Sequence, residues 1–171
     1  MEISKSKHWS IAKALLAALC ACAVALALAM VAQPAQQAYA ANGKTGAEVM
    51  FRLYNPNSGE HFYTSSEVER DNCIANGWDD EGRGWVATTD GDPVYRLYNS
   101  IGGEHHYTMS TVERDALVAE GWTDEGERWC SNPTKRVALY RLYNPNEFAN
   151  NHHYTKDAGE RDILVNAGWK Y

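Results

Sequence analysis

One phrase recurs three times in this chain, and its recurrence constrains the fold more than any other feature. It reads FRLYNPNSGEHFYT at residues 51–64, YRLYNSIGGEHHYT at 95–108 and YRLYNPNEFANNHHYT at 140–155. A unit of this size cannot bury its apolar face alone, so neighbouring copies must cover one another. The chain is therefore expected to fold from three similar units that share a core.

The first two copies predict the order strand, strand, helix, strand, and the third predicts the first three of these elements. In the second copy, Tyr95 and Leu97 alternate with Arg96 and Tyr98, as in a strand whose two faces differ. A turn rich in Asn, Pro, Ser and Gly then leads into a short second strand. The two strands are expected to form a hairpin.

The helix of each copy carries its own start and stop signals. Ser66 and Glu69 form a capping box, in which we expect the glutamate to reach back to the N–H of the cap residue. The helices should end at Gly77, Gly121 and Gly168, where a left-handed glycine is favoured. These signals predict three short helices.

The last strand is predicted for only two copies. Residues 81–85 and 125–129 share the pattern E-G-x-x-W, whereas the third copy stops at Tyr171 without it. Either a partner strand is missing, or residues 46–50 fill the gap. The sequence leaves both alternatives open.

These patterns predict a β-rich α+β fold with one domain at residues 49–171. The three repeats would span residues 49–92, 93–136 and 137–171. We expect them to form a compact body with pseudo-threefold symmetry, and a linear stack of three units is the alternative.

Residues 1–40 are typical of a secretory signal peptide, with three lysines, an apolar run and the cleavage signal Ala38-Tyr39-Ala40. Residues 41–48 would then be a short linker. The protein is expected to be secreted or associated with the cell surface, with no membrane contact after cleavage. Its oligomeric state is left open.

Charge and motifs exclude several classes of function. Of the 16 Lys and Arg residues three lie in the leader, and of the 22 Asp and Glu residues one does, so the mature chain carries 13 and 21. The resulting net charge of −8 argues against nucleic acid as a partner. No metal or cofactor is expected. Every candidate for acid–base chemistry recurs in two or three copies, so the chain is expected not to be an enzyme, and a small cell-wall hydrolase is a distant alternative.

Four of the positions that are the same in every copy are occupied by candidate binding residues. Aromatic rings stack on sugars, and Arg and His can exchange hydrogen bonds with sugar hydroxyl groups. We therefore expect a non-catalytic module that binds carbohydrate or a cell-wall polymer. The twelve candidates are Arg52, Tyr54, His61, Tyr63, Arg96, Tyr98, His105, Tyr107, Arg141, Tyr143, His152 and Tyr154.

A structural role for the same residues is the alternative, in a protein-interaction or structural surface module. In that interpretation Arg70 would pair with Glu60, and tyrosine hydroxyl groups would satisfy buried backbone groups. His106 and His153 occupy the place of Phe62 in the first copy, so we expect them to be packed rings rather than ligands.

Two cysteines, Cys73 and Cys130, remain after removal of the leader. An exported protein often pairs its cysteines, so a disulfide between them is a candidate, and two free thiols are the alternative.

The repeated phrase, followed by Glu-Arg-Asp, Gly-Trp and E-G-x-x-W, resembles a repeat family of unknown function in secreted bacterial and fungal proteins. The resemblance covers residues 50–171. Similar repeats are often appended to cell-wall hydrolases and other exported enzymes, which implies an accessory or binding role, and the resemblance brings no particular activity with it. The chain departs from the pattern at Asn151, where the family has Glu, and in the shortened third copy.

Overall fold

The computed structural model describes residues 46–146 and 151–171. The predicted signal peptide and the loop at residues 147–150 lie outside the described residues. The strands are β1 (Ala47–Tyr54), β2 (His61–Thr64), β3 (Asp79–Thr88), β4 (Asp92–Asn99), β5 (Glu104–Thr108), β6 (Thr123–Ser131), β7 (Tyr140–Tyr143) and β8 (His152–Thr155). The helices are α1 (Glu67–Ala75), α2 (Thr111–Ala119) and α3 (Ala158–Asn166).

The described residues form a curled antiparallel sheet and three short helices, so the predicted β-rich α+β class is confirmed. Six strands lie in the order β2-β1-β3-β6-β4-β5, and β7 pairs with β8 as a separate two-stranded sheet. Each of the three predicted hairpins is present and is followed by a helix. Bulges interrupt the β1–β3 and β4–β6 pairings and add to the local twist of the sheet.

The helices begin where the sequence predicts, but the capping glutamates are used differently. Ser66 Oγ accepts a hydrogen bond from the Glu69 N–H at 3.2 Å, as a cap should. The Ser66 N–H, however, donates to Thr64 Oγ1 at 3.0 Å, and the Thr64 hydroxyl donates to the Glu69 carboxylate. The expectation that Glu69 reaches back to the cap is therefore wrong, because the preceding threonine satisfies that N–H and leaves the carboxylate for another partner.

The predicted ends of the helices are confirmed. Gly77, Gly121 and Gly168 have φ angles of 88°, 97° and 99°, which is the left-handed region that glycine adopts without strain. Each helix has nine residues. None of the helices in the described parts of the chain is long and apolar enough to span a membrane.

The N-terminal stretch does not fill the gap left by the third copy. Residues 47–50 belong to β1 and pair with β3, with Ala47 opposite Thr88 and Met50 opposite Trp85. On the equivalent edge of β7, the pairing found among the described residues is one bridge, between Tyr143 and Lys170. Among the described residues a partner strand is therefore missing, as the first of the two alternatives held, and most of this edge of β7 is unpaired.

Three buried tyrosines join the hairpins through their hydroxyl groups. Tyr107 Oη accepts from the Tyr63 N–H at 3.0 Å and donates to the Tyr63 carbonyl at 2.9 Å. Tyr154 Oη makes the same two bonds to the backbone of Tyr107, at 2.9 and 3.0 Å. Tyr63 Oη accepts in turn from the Tyr154 N–H at 3.0 Å, which closes a cycle. The cycle satisfies backbone groups in the core that water cannot reach.

We predict that Tyr107→Phe lowers the free energy of unfolding by about 1–3 kcal/mol, because it leaves the buried N–H and carbonyl of Tyr63 without their partner. The matched control is Tyr95→Phe, since the equivalent position of the first hairpin is already Phe51. Urea unfolding of both variants measures the difference. Equal losses in the two variants would contradict a special role for the Tyr107 hydroxyl.

Candidate functional site

The arginine at the second position of each repeated phrase pairs with a glutamate on the helix of a different hairpin unit. Each of these glutamates is the one left available by the threonine at its helix start. The pairs are Arg96 with Glu69 at 2.8 Å, Arg141 with Glu113 at 3.0 Å and Arg52 with Glu160 at 2.9 Å. The last pair joins the first and the last of the three units, 108 residues apart in sequence.

Two of these arginines also bind a second carboxylate, which comes from the strand after the helix. Arg52 Nε lies 2.8 Å from Glu81 Oε2, and Arg96 Nε contacts Glu125. Burial lowers the pKa of Arg96, but the hydrogen bond that Arg96 donates to Glu69 and the charges of both carboxylates outweigh it and raise that pKa above its usual value. Within the described part of the chain no such strand lies beside Arg141, and 45% of its side chain is exposed, compared with 4% for Arg96.

The histidines of the repeated phrase form a second set of contacts between units. The imidazole Nδ1 of His105 lies 2.7 Å from Glu60 Oε1, which also accepts from the His105 N–H at 2.8 Å. Glu60 is therefore used by His105, and the expected Arg70–Glu60 pair is wrong, since Arg70 pairs with its neighbour Asp71 at 2.8 Å. Arg70 also stacks on the ring of Phe51.

Asn151, the departure from the repeated pattern, has a contact of its own. Its side-chain N–H donates to the carbonyl of Gly59 at 2.7 Å. An ionised glutamate could not donate to this carbonyl, because a carboxylate only accepts hydrogen bonds. The amide therefore suits this position, at the junction of the third and first hairpins.

The twelve candidate binding residues fall into distinct environments. Tyr63, Tyr107 and Tyr154 are buried, with their hydroxyl groups bonded to backbone, so they are core residues rather than exposed surface rings. The arginines are held by the ion pairs described above. The remaining six are half-buried and stack as Tyr–His pairs within their own hairpins. These pairs are Tyr54 with His61, Tyr98 with His105 and Tyr143 with His152, at centroid distances of 5.0, 4.8 and 5.2 Å.

His106 and His153 are buried, as predicted for packed rings. Burial and the neighbouring charges of His152 and Arg141 lower the pKa of His106 to about 4, although Glu113 acts in the opposite direction. Burial also lowers the pKa of His153, so both histidines are neutral rings at pH 7. Among the described residues, no group of three or more His, Cys, Asp or Glu side chains is arranged to hold a metal ion.

A cavity of about 870 Å³ lies beside the free edge of β7. Trp85 and Trp129, whose rings meet edge to face at 5.7 Å, form part of its wall together with Tyr107 and Tyr154. Leu139, just before β7, is also part of the wall. The volume of the cavity is in the range of known ligand pockets, and the lining of the cavity is mostly apolar, as in such pockets.

The rim of the cavity is mainly cationic, although the protein as a whole is acidic. Lys135, Arg136 and Arg141 line it, and Glu113 is the acidic side chain among the lining residues. Such a rim attracts a ligand that carries negative charge.

No pattern in the sequence predicted this cavity. Its residues come from the last strands of two units, from the segment before β7 and from the core tyrosines, so no single motif contains them. The available signal was the missing E-G-x-x-W strand of the third copy, which predicted an uncovered position without showing its size. Among its lining residues, only Arg141, Tyr107 and Tyr154 were in the candidate set.

The two cysteines are free thiols and do not form the candidate disulfide in this structure. Cys73 lies on α1 and Cys130 on β6, where it lines the cavity. Burial raises the pKa of the Cys73 thiol to about 11 and also raises that of Cys130. Both thiols are therefore protonated and weakly nucleophilic at pH 7.

The described residues form a β-rich domain with a curled antiparallel sheet, three short helices and a cluster of buried aromatic rings. Residues 49–171 match the family described as Domain of unknown function (DUF5648), and the chain belongs to that family. Neither a curated protein nor a solved structure matches the sequence.

We predict that Arg96→Met lowers the free energy of unfolding by about 3–5 kcal/mol, because it leaves two partly buried carboxylates without their shared cation. The matched control is Arg141→Met at the equivalent position, where the side chain is half exposed and pairs with one glutamate. There we expect a loss below about 1 kcal/mol. Urea unfolding at pH 7 compares the two variants, and a loss for Arg141→Met as large as that for Arg96→Met would contradict the ranking.

We predict that His106→Phe makes the protein less sensitive to acid. The folded state lowers the pKa of His106 to about 4 from an unfolded value of about 6.5, so its contribution to stability is present above pH 6.5 and is lost as the pH falls towards 4. Without this histidine, the loss of unfolding free energy between pH 7 and pH 4 should be smaller by about 1–3 kcal/mol.

The equivalent position of the first hairpin supplies the reverse variant for this test. Phe62→His adds a buried histidine and should increase the loss between pH 7 and pH 4. Chemical unfolding at several pH values measures both variants. An unchanged pH profile for His106→Phe would show that this histidine does not govern the acid response.

Proposed function

We propose that this chain is a secreted, non-catalytic protein-interaction module that binds a polypeptide segment in the cavity beside β7. The observation that carries the proposal is that this cavity combines exposed apolar wall, a cationic rim and the unpaired edge of a strand. An unpaired edge offers backbone groups that an extended peptide can bond, and neighbouring pockets select its side chains. Secretion rests on the sequence of residues 1–40.

The proposal includes the finer arrangement of the fold, in which three repeats are related by pseudo-threefold symmetry. The closed cycle of tyrosine hydroxyl bonds supports it, as does the direction of the arginine–glutamate pairs, which run from each unit to the preceding one. The pair between Arg52 and Glu160 argues against a linear stack, because the end units of such a stack would not touch. The third unit is then the one whose core is open.

A non-catalytic role agrees with how the polar residues are used. The arginines and the helix glutamates bind one another across units, and the core tyrosines bind backbone. Their shared task is cohesion, which every copy needs equally. Residues that recur for this reason are not evidence for a reactive centre.

Carbohydrate binding is the second candidate function, and the stacked Tyr–His pairs favour it. Three half-buried pairs, such as Tyr54 with His61, occur at equivalent places in the three hairpins. Weak sites of this kind would reinforce one another on a polymer. This site differs from the cavity, so the two functions can be tested separately.

The test of the main proposal fills the cavity. Ala138 lines it, and Ala138→Trp should block a ligand, whereas Ala119→Trp, at the exposed end of α2, is the matched control. We predict that the exported protein enriches binders from a random peptide library, and that Ala138→Trp lowers their affinity about ten-fold or more while Ala119→Trp does not. Enriched peptides that ignore Ala138→Trp would contradict the cavity as the site.

The same preparation tests the second candidate by retention on insoluble peptidoglycan, chitin and cellulose. Retention that Tyr54→Ala weakens, and that Ala138→Trp leaves unchanged, would support the Tyr–His pairs as a carbohydrate site. Failure to bind either the peptides or the polymers would overturn both functions.

A further inference from the structure

The strands β1 and β4 are equivalent to β7, and in both of them a further strand covers the edge that is free in β7. β3 lies antiparallel on β1, and β6 lies antiparallel on β4. In these pairings Trp85 stands opposite Met50, and Trp129 stands opposite Val94. Both strands therefore use a tryptophan to cover the apolar residue that begins the core face of the neighbouring strand.

Each covering strand makes two further contacts, and the residues that make them have the same spacing in β3 and β6. The acidic residue four positions before the tryptophan binds the arginine of the covered strand, as Glu81 does with Arg52. The tryptophan packs against the core tyrosine, with Trp85 and Tyr63 at 5.1 Å and 37° between the ring planes. Trp129 and Tyr107 repeat this geometry at 4.9 Å and 40°.

The glycine after the acidic residue has a conformational reason. Gly82 and Gly126 have φ angles of 79° and 82°, in the left-handed region that other residues rarely adopt. Both lie where the pairing register shifts at the bulge. The covering strand is thus defined by three requirements, namely an acid, a following glycine and an aromatic ring four residues after the acid.

The equivalent positions beside β7 are open within the described residues. Tyr143 exchanges backbone hydrogen bonds of 2.8 and 2.9 Å with Lys170, which places Lys170 at the register of Asp79. Beyond that bridge Leu139 is 37% exposed, whereas Met50 at the equivalent position is fully buried. Arg141 and Tyr154, which would meet the acid and the tryptophan, both line the cavity.

We propose that the free edge of β7 binds, in trans, an extended acidic and aromatic segment of a partner protein with the pattern E-G-x-x-W. The segment adds to β7 as an antiparallel strand. Its carboxylate pairs with Arg141, and its tryptophan enters the cavity between Leu139 and Tyr154. Lys135 and Arg136 at the rim favour further acidic residues in the partner. This inference rests on the proposed function and specifies its ligand.

The probe is a synthetic ten-residue peptide with the sequence of Asp79–Thr88, since this strand already meets all three requirements. We expect the exported protein to bind the labelled peptide in fluorescence polarisation. Trp85→Ala or Glu81→Lys in the peptide should each weaken binding about ten-fold or more. Equal affinity for all three peptides would overturn the proposal.

A charge exchange tests the pairing with Arg141. Arg141→Glu in the protein should abolish binding of the unsubstituted peptide and allow binding of the Glu81→Lys peptide. The control is Arg83→Glu, at an exposed position outside the cavity, which should leave the binding of both peptides unchanged. Thermal melts check that each variant is folded, and Arg141→Met supplies a milder change that should weaken binding of the unsubstituted peptide. No exchange of preference in folded variants would overturn the role of Arg141.

Hydrogen exchange tests whether the peptide adds as a strand. Because backbone groups alternate between the two edges of a strand, the N–H group of Arg141 points to the same edge as that of Tyr143. Its exchange should slow when the peptide is bound, and unchanged exchange would overturn the strand geometry. If library peptides bind the cavity without an acid and a tryptophan four residues apart, the interaction function stands and this inference is wrong.

Discussion

The hydrogen bonds between a tyrosine hydroxyl group and the backbone of a neighbouring hairpin are the interaction on which the rest of the structure depends. Each hairpin is short and would be only marginally stable alone. The hydroxyl of Tyr107 holds both backbone groups of Tyr63, and that of Tyr154 holds both of Tyr107, so the strands meet at fixed positions in the core. Tryptophans can then pack on these rings, and the arginines reach the helices of neighbouring units.

Local signals in the sequence predicted the local structure well. The cap residues and the left-handed glycines act through backbone groups within a few residues, so they specify helix ends without reference to the rest of the fold. The use of Glu69 was not predictable in this way. A threonine two residues before the cap took over the expected bond, and the carboxylate instead met Arg96, an arginine 27 residues away.

The candidate site was harder to predict because strand alternation gives two faces without saying which one is buried. Tyr63 and Tyr54 both recur in every copy, yet the first is a core residue and the second is half-buried. Recurrence alone does not separate residues that hold the hairpins together from residues that are left at the surface. To predict the cavity, the pairing partner of each strand must be known. This is long-range information that no single copy of the phrase contains.

Arg96 and Arg141 show how one residue type at equivalent positions can serve two purposes. Arg96 is covered by β6, binds two carboxylates and is almost fully buried, so it is committed to the fold. Arg141 binds one glutamate and keeps nearly half of its side chain exposed beside an apolar cavity. The difference comes from the neighbouring strand and not from the arginine itself. Among the described residues, the arginine that β6 covers at position 96 is left largely uncovered at position 141.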